Sequence, residues 1–151
     1  MNEQLVNVYL IKASAPGEFK KYKQSRGGPP QNIFSAAAAM PDFVNLEMTD
    51  ETVDMKINKH SKADIVIIFM STPDALQAYH WGDHFKRQGK VVVYGGLHSS
   101  FLPDEARQHG DTVIVGEIEH VIPELLNGFL TQQIKPQYQS NQPVELGSLK
   151  P

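Results

Sequence analysis

The stretch KVVVYGGLHSSFLPDEARQHGDTVIVGEIEHVIPELLNGFL, Lys90 to Leu130, decides how the chain is read. The β-branched run Val91 to Val93 ends in Gly95-Gly96, and the run Thr112 to Val115 ends in Gly116-Glu117. Each is a short, continuously apolar segment between turn signals, the pattern of a strand buried on both faces. A helical segment follows each. Strands that stop at glycines and lead into helices predict a parallel α/β sheet with its glycine loops at the C-terminal edge. Glycine there permits positive φ, and without a Cβ it lets the backbone lie against a ligand. Gly95, Gly96 and Gly116 are therefore read as the floor of a site.

The chain has 151 residues, a formal charge of −3 and no cysteine. The length fits one domain with a proper core. The mild charge gives no sign of nucleic-acid binding through bulk electrostatics. Without cysteine there is no disulfide, thiolate nucleophile, cysteine zinc site or cysteine-held iron–sulfur cluster. The N-terminal MNEQ shows no signal-peptide pattern, and no apolar run reaches membrane-spanning length. The expectation is a cytoplasmic protein with no membrane partner.

Taken in order, Leu5 to Ile11 reads as the first strand. The loop Lys12 to Gly28 carries Lys12, Lys20, Lys21, Lys23 and Arg26 against one acid, Glu18. A solvated charge run is the plain reading. Its place after the first strand also suits an anionic or amide-rich ligand. Gln31 to Met40 reads as a helix with a small-residue face, closed by Pro41. Phe43 to Met48 reads as a second strand toward one edge. Its terminal acids, Asp50 and Glu51, suit a turn or cap better than a ribose site, because no GxGxxG follows the first strand.

Ala63 to Met70 is the most apolar segment and is expected at the centre of the sheet. Thr72 reads as the N-cap of the next helix, with Pro73 at its first position and Asp74 on its dipole. Ser71 is left with a hydroxyl near the ligand edge. His80 and His84 lie four apart on that helix, but Trp81 stands where a zinc-peptidase motif needs Glu, so packing or surface roles are expected. Gly95 to Phe101 reads as a loop and Pro103 to His109 as a short helix. Ile118, Val121, Ile122, Leu125, Leu126 and Phe129 form a helical stripe with Pro123 in its first turn. Glu117 and Glu119 stand at its start as dipole partners. From residue 131 to 151 the chain is polar and proline-marked, and reads as a linker or tail after a domain of residues 1–130.

The order PP…AAAAMP, ADIVIIFMST and GGLHSSFLPDEA, followed by GEIEHVIPELL, resembles the cobalamin-binding domain at the front of B12-dependent radical SAM enzymes. The resemblance covers residues 5–130. It rests on the family pattern GG-x-H-x-(S/T)…P-x-E-A and G-E-x-E…P-E-L-L. It implies a flavodoxin-like (Rossmann-like) doubly wound α/β fold, with five parallel strands in the order 2-1-3-4-5. It implies cobalamin as the cofactor, with its nucleotide tail slotted into the sheet edge and the Lys12 to Pro30 loop under the corrin. The contacts implied are Ser71, Thr72, Gly95, Gly96, Leu97, His98, Ser99, Gly116 and Glu117. Ser71 and Thr72 would reach the benzimidazole nitrogen or the phosphate.

The DxHxxG motif of methionine-synthase-type domains is absent; DHFKRQG at Asp83 is not it. The expectation is base-off binding with no protein histidine on cobalt and no other metal ligand. The CxxxCxxC motif of the radical SAM barrel is also absent, and QPVELGSLKP resembles the connector into that barrel. The chain is thus expected to bind and position, with no catalytic residues of its own, as a domain or subunit partnered by a radical SAM domain. Two alternatives share the fold: a flavodoxin-like module binding FMN or another nucleotide, and an interaction subunit with a vestigial site. A phospho-receiver is excluded, because the first, third and fifth strands end in Lys12-Ala13, Met70-Ser71 and Gly116-Glu117 rather than in its acids and lysine.

Overall fold

A computed structural model describes residues 5–17 and 31–140, with side chains from residue 33 in the second segment. The elements are β1 Val6–Lys12, α1 Gln31–Ala39, β2 Val44–Asp50, β3 Ile65–Phe69, α2 Ala75–Arg87, β4 Val91–Gly95, α3 Leu97–Phe101, α4 Pro103–Arg107, β5 Thr112–Val115, α5 Ile122–Leu130 and β6 Gln137–Gln139. Short 3-10 turns, Glu51–Val53 and Thr72–Asp74, follow β2 and β3.

All strand pairs are parallel, and the order is β2-β1-β3-β4-β5-β6. The fold is therefore the flavodoxin-like α/β sheet expected, with β2 at one edge and β3 inside. Among the described residues it has six strands rather than five. The sixth comes from the segment read as a polar tail. It pairs Gln137, Tyr138 and Gln139 with Val113, Ile114 and Val115. Its one apolar side chain, Tyr138, is 2 % exposed and packs with α5. An edge strand needs apolar residues on one face only, so QYQ suffices, and it closes a β5 edge that would otherwise be open.

The sheet alternates its side chains between two cores. On one face Val8, Leu10, Ile65, Ile67, Phe69, Val93 and Ile114 pack under α1 and α5. On the other Tyr9, Ile11, Val66, Ile68, Val92 and Tyr94 pack under α2. All five β3 residues are buried, because helices cover both faces at the sheet's centre. The Tyr94 ring is seated by two glycines. A Cβ on Gly82 would collide with its hydroxyl, and one on Gly110 would lie 2.7 Å from the ring. Burial pushes the Tyr94 hydroxyl far above its ordinary pKa.

Two local expectations change. Thr72 does not cap α2. The chain first makes a 3-10 turn, for which Ser71 stands at the N-cap position, and the helix starts at Ala75. The reading Gly95 to Phe101 as a loop also fails, because residues 97–101 form α3. Pro123 lies in the first turn of α5, as expected. Among the described residues no helix is long and apolar enough to cross a membrane.

Candidate functional site

Every strand ends at the same edge, and the ends of β3, β4 and β5 open onto a cleft of about 260 Å³. Phe69, Gly95 and Gly96 form its floor, Gly116, Glu117 and Ile118 one wall, and Leu97, Ser100 and Phe101 the other. Leu97 and Phe101 lie one helical turn apart on α3 and are 66 % and 77 % exposed. Two large apolar side chains left in water beside a cleft form a lip suited to an apolar or flat ligand. Ser100 fixes the distance between the walls. Its hydroxyl donates to the Gly96 carbonyl at 2.8 Å and accepts the Gly116 N–H at 3.0 Å.

Of the nine residues singled out in the sequence, Gly95, Gly96, Leu97, Gly116 and Glu117 line this cleft; Ser71, Thr72, His98 and Ser99 do not. Phe69, Ser100, Phe101 and Ile118 were missed. Ser100 and Phe101 fall on the cleft because residues 97–101 are helical, which a loop reading hides. Gly96 has φ +99°, and its backbone passes so close to Met70 that a Cβ would lie 2.6 Å from the Met70 carbonyl oxygen. Glycine is required there by a crossing of the chain. Gly116, at φ +84°, lies beside the Ser140 carbonyl, 3.2 Å from where a Cβ would stand.

The four remaining candidates belong to a hydrogen-bonded layer behind the edge. Ser99 is fully buried and donates to the Gly96 carbonyl at 3.1 Å, with the Ile114 carbonyl at 3.4 Å. His98 is buried. Its Nδ1 lies 3.2 Å from Thr72 Oγ1 and its Nε2 2.9 Å from Glu105 Oε1. The Tyr79 hydroxyl donates to the same Glu105 oxygen at 2.9 Å, and the Tyr79 ring stacks on His109. The hydrogen bond from His98, followed by that from Tyr79, holds the Glu105 carboxyl below its ordinary value. Burial, then the Glu105 contact, pushes the Tyr79 hydroxyl up. The motif residues His98 and Glu105 thus meet, and their contact ties α3 to α4.

Ser71 donates to Asp74 Oδ2 at 2.5 Å. Asp74 is completely buried and also accepts the Ala15 N–H at 2.8 Å, with Lys12 Nζ 3.6 Å away. Asp74 therefore joins the end of β1 to the end of β3 instead of capping α2. The other cations of the Lys12 to Gly28 loop lie outside the described residues.

A second cleft, of about 430 Å³, lies over the ends of β1 and β2 beside α2. Glu51 is its anchor. Oε2 accepts the Ser14 N–H, and Oε1 accepts Gln77 Nε2 and Trp81 Nε1, at 3.0 to 3.1 Å. The Ser14 hydroxyl beside it is buried with no hydrogen-bond partner among the described residues. Asp50 bonds the Thr52 N–H and hydroxyl, the turn role expected of it. Among the described residues no group of three or more His, Asp or Glu is placed to hold a metal ion. His84 bonds the Lys59 carbonyl and Gln88 instead.

No family model matches the chain, and no solved structure matches it. Two curated proteins of Chlorobaculum tepidum are similar. Bacteriochlorophyllide d C-8(2)-methyltransferase is 39% identical over 100 residues, 66% of this chain and 22% of that protein. Bacteriochlorophyllide d C-12(1)-methyltransferase is 36% identical over 113 residues, 74% of this chain and 25% of that protein. The chain spans about a quarter of the length of these relatives.

Proposed function

We propose that this chain binds cobalamin base-off, without a protein histidine on cobalt, and positions it for a radical SAM domain or subunit. The observation that carries the reading is the cleft between Gly95 and Gly116, apolar and open at the ligand edge of the sheet. A volume of about 260 Å³ falls below the usual range for a whole drug-sized ligand, but it suits one flat ring. Phe69, Leu97, Phe101 and Ile118 would hold the benzimidazole tail. Parts of the motifs that carry the cobalamin-domain resemblance line this cleft: Gly95, Gly96 and Leu97 of GGLH, and Gly116 and Glu117 of GEIE. The two similar proteins are methyltransferases by name, and bound cobalamin supplies methyl-transfer chemistry that protein side chains lack. His98 has both ring nitrogens engaged within the protein, which suits a cobalt left without a histidine.

The chain's own part is to hold: the Ser100 bridge sets the width of the slot, and Leu97 and Phe101 keep water from the ring. It contributes no catalytic residue and no iron–sulfur cluster. It serves as a carrier or positioning module whose partners are cobalamin and a radical SAM domain, not nucleic acid or membrane, in the cytoplasm. The residues after 140 serve as the connector toward that domain.

The test is reconstitution with hydroxocobalamin, desalting and an absorption spectrum. Retention at near one-to-one ratio is expected. Electron paramagnetic resonance of the cob(II)alamin form should show no nitrogen superhyperfine splitting from an axial ligand. A chain that releases all corrinoid but keeps FMN or a nucleotide overturns the reading.

A further inference from the structure

We propose that the hydroxyls at the end of β3, Ser71 and Thr72, are set by the protein as hydrogen-bond acceptors. This edge then takes a hydrogen-bond donor of the cofactor, a carboxamide N–H of the corrin rim or a sugar hydroxyl, and not its phosphate or ring nitrogen. The choice of ligand rests on the cobalamin reading; the polarity of the hydroxyls does not.

A hydroxyl has one hydrogen and two lone pairs, so its direction is decided once the hydrogen is assigned. Ser71 Oγ lies 2.5 Å from Asp74 Oδ2. Asp74 Oδ1 accepts the Ala15 N–H and Oδ2 faces Lys12 Nζ at 3.6 Å, so Oδ2 is the acceptor in the bond to Ser71 and the Ser71 hydrogen is spent inward. Thr72 is settled one step further back. Glu105 Oε1 receives the Tyr79 hydroxyl and His98 Nε2, both at 2.9 Å. An ionised carboxylate has no hydrogen to give, so His98 carries its proton on Nε2. In the neutral imidazole Nδ1 is then a bare lone pair, and the contact at 3.2 Å to Thr72 Oγ1 forms only if Thr72 donates. The Thr72 hydrogen is spent inward too. Thr72 is exposed and Ser71 half-buried, so their lone pairs remain accessible.

Phosphate oxygens and an unprotonated benzimidazole nitrogen are acceptors, and acceptor against acceptor makes no bond. Corrin-rim carboxamides and the sugar carry donors. This replaces the expectation that Ser71 and Thr72 reach the benzimidazole nitrogen or the phosphate. His98 acts as a positioning residue: it touches no ligand and fixes the direction of the group that does.

The experiment has two arms on the full chain. Nitrogen-15 NMR of the histidine rings at neutral pH, assigned by His98→Gln, should show His98 protonated at Nε2 and bare at Nδ1. Absorbance titrations then compare hydroxocobalamin with cobinamide, which keeps the corrin carboxamides and lacks the sugar, phosphate and base. Thr72→Val should weaken binding about three- to tenfold, the size of one hydrogen bond, and Thr72→Ser should restore it. Equal loss for both corrinoids assigns the donor to the corrin rim, and loss for cobalamin alone assigns it to the sugar. A proton on His98 Nδ1, or unchanged affinities in Thr72→Val, overturns the proposal while leaving cobalamin binding intact. An unaltered chain that retains neither corrinoid overturns the cobalamin reading itself, and the NMR arm still decides the polarity.

Discussion

The Met70 carbonyl oxygen lies 2.6 Å from the point where Gly96 would carry a Cβ, and Gly96 holds φ at +99°. The end of β3 and the turn after β4 are in backbone contact there. The Met70 N–H bonds the Gly95 carbonyl, and the Met70 carbonyl accepts the His98 N–H. Gly96→Ala adds both left-handed strain and a clash with main chain. It should destabilise the unliganded protein by at least about 1 kcal/mol. Urea denaturation checks this. A variant as stable as its parent would show that the two backbones do not meet there.

Tyr138 decides whether the polar segment after α5 belongs to the fold. It is buried against α5, its hydroxyl accepts the Lys135 N–H at 3.1 Å, and its strand closes the β5 edge. Tyr138→Ala should cost about 3 kcal/mol, as large aromatic truncations do. A truly detached tail would show almost no change in thermal midpoint.

Gly82 and Tyr94 form a testable pair. Gly82→Ala drives a methyl into the Tyr94 hydroxyl and should cost about 1–3 kcal/mol by overpacking. In a Tyr94→Phe background the hydroxyl is gone and the same substitution should cost less, with a coupling of about 0.5–3 kcal/mol. A double-mutant cycle measures it, and strict additivity would refute the contact.

Glu105 links stability to pH. Its folded-state carboxyl is held below the ordinary value of 4.5, first by the hydrogen bond from His98 and then by that from Tyr79. A depressed acid contributes stability that is complete above 4.5 and is lost as pH falls through the lower folded value. Glu105→Gln should therefore have a lower urea midpoint than the parent at neutral pH. The two midpoints should converge as the solution is taken below pH 4.5. A constant gap across that range would mean that the carboxylate charge is not what matters.

Much of the fold was legible because burial writes itself into composition. Ile65–Phe69 reads as a central strand since helices cover both its faces, and Thr112–Val115 likewise. Tyr138 was illegible because an edge strand has one neighbour and little need for alternation. At the site, the glycines stood out by residue type, yet the reason for Gly96 lay in a main-chain crossing that no local pattern reports. Phe101 and Ser100 were hidden by a single unforeseen helical turn. Thr72 looked like a cap because Ser/Thr-Pro-Asp fits one. A 3-10 turn displaced the helix start to Ala75 and left its hydroxyl for His98. His98 with Glu105 could be seen as a motif, but that the two touch is a fact of packing.

Because β6 runs parallel to β5, the chain completes that strand at the cleft's own rim and not at the far side of the sheet. The Ser140 N–H bonds the Val115 carbonyl at 3.4 Å, and the Ser140 carbonyl stands beside Gly116. Anything carried on residues beyond 140 is therefore tethered at the mouth of the slot, with almost no span to cross. Effective concentration is greatest when a tether's reach matches the gap it must bridge. With the attachment point already there, a few residues would be enough to present the proposed radical SAM partner to a cofactor in the slot, and lengthening the leash would dilute that encounter.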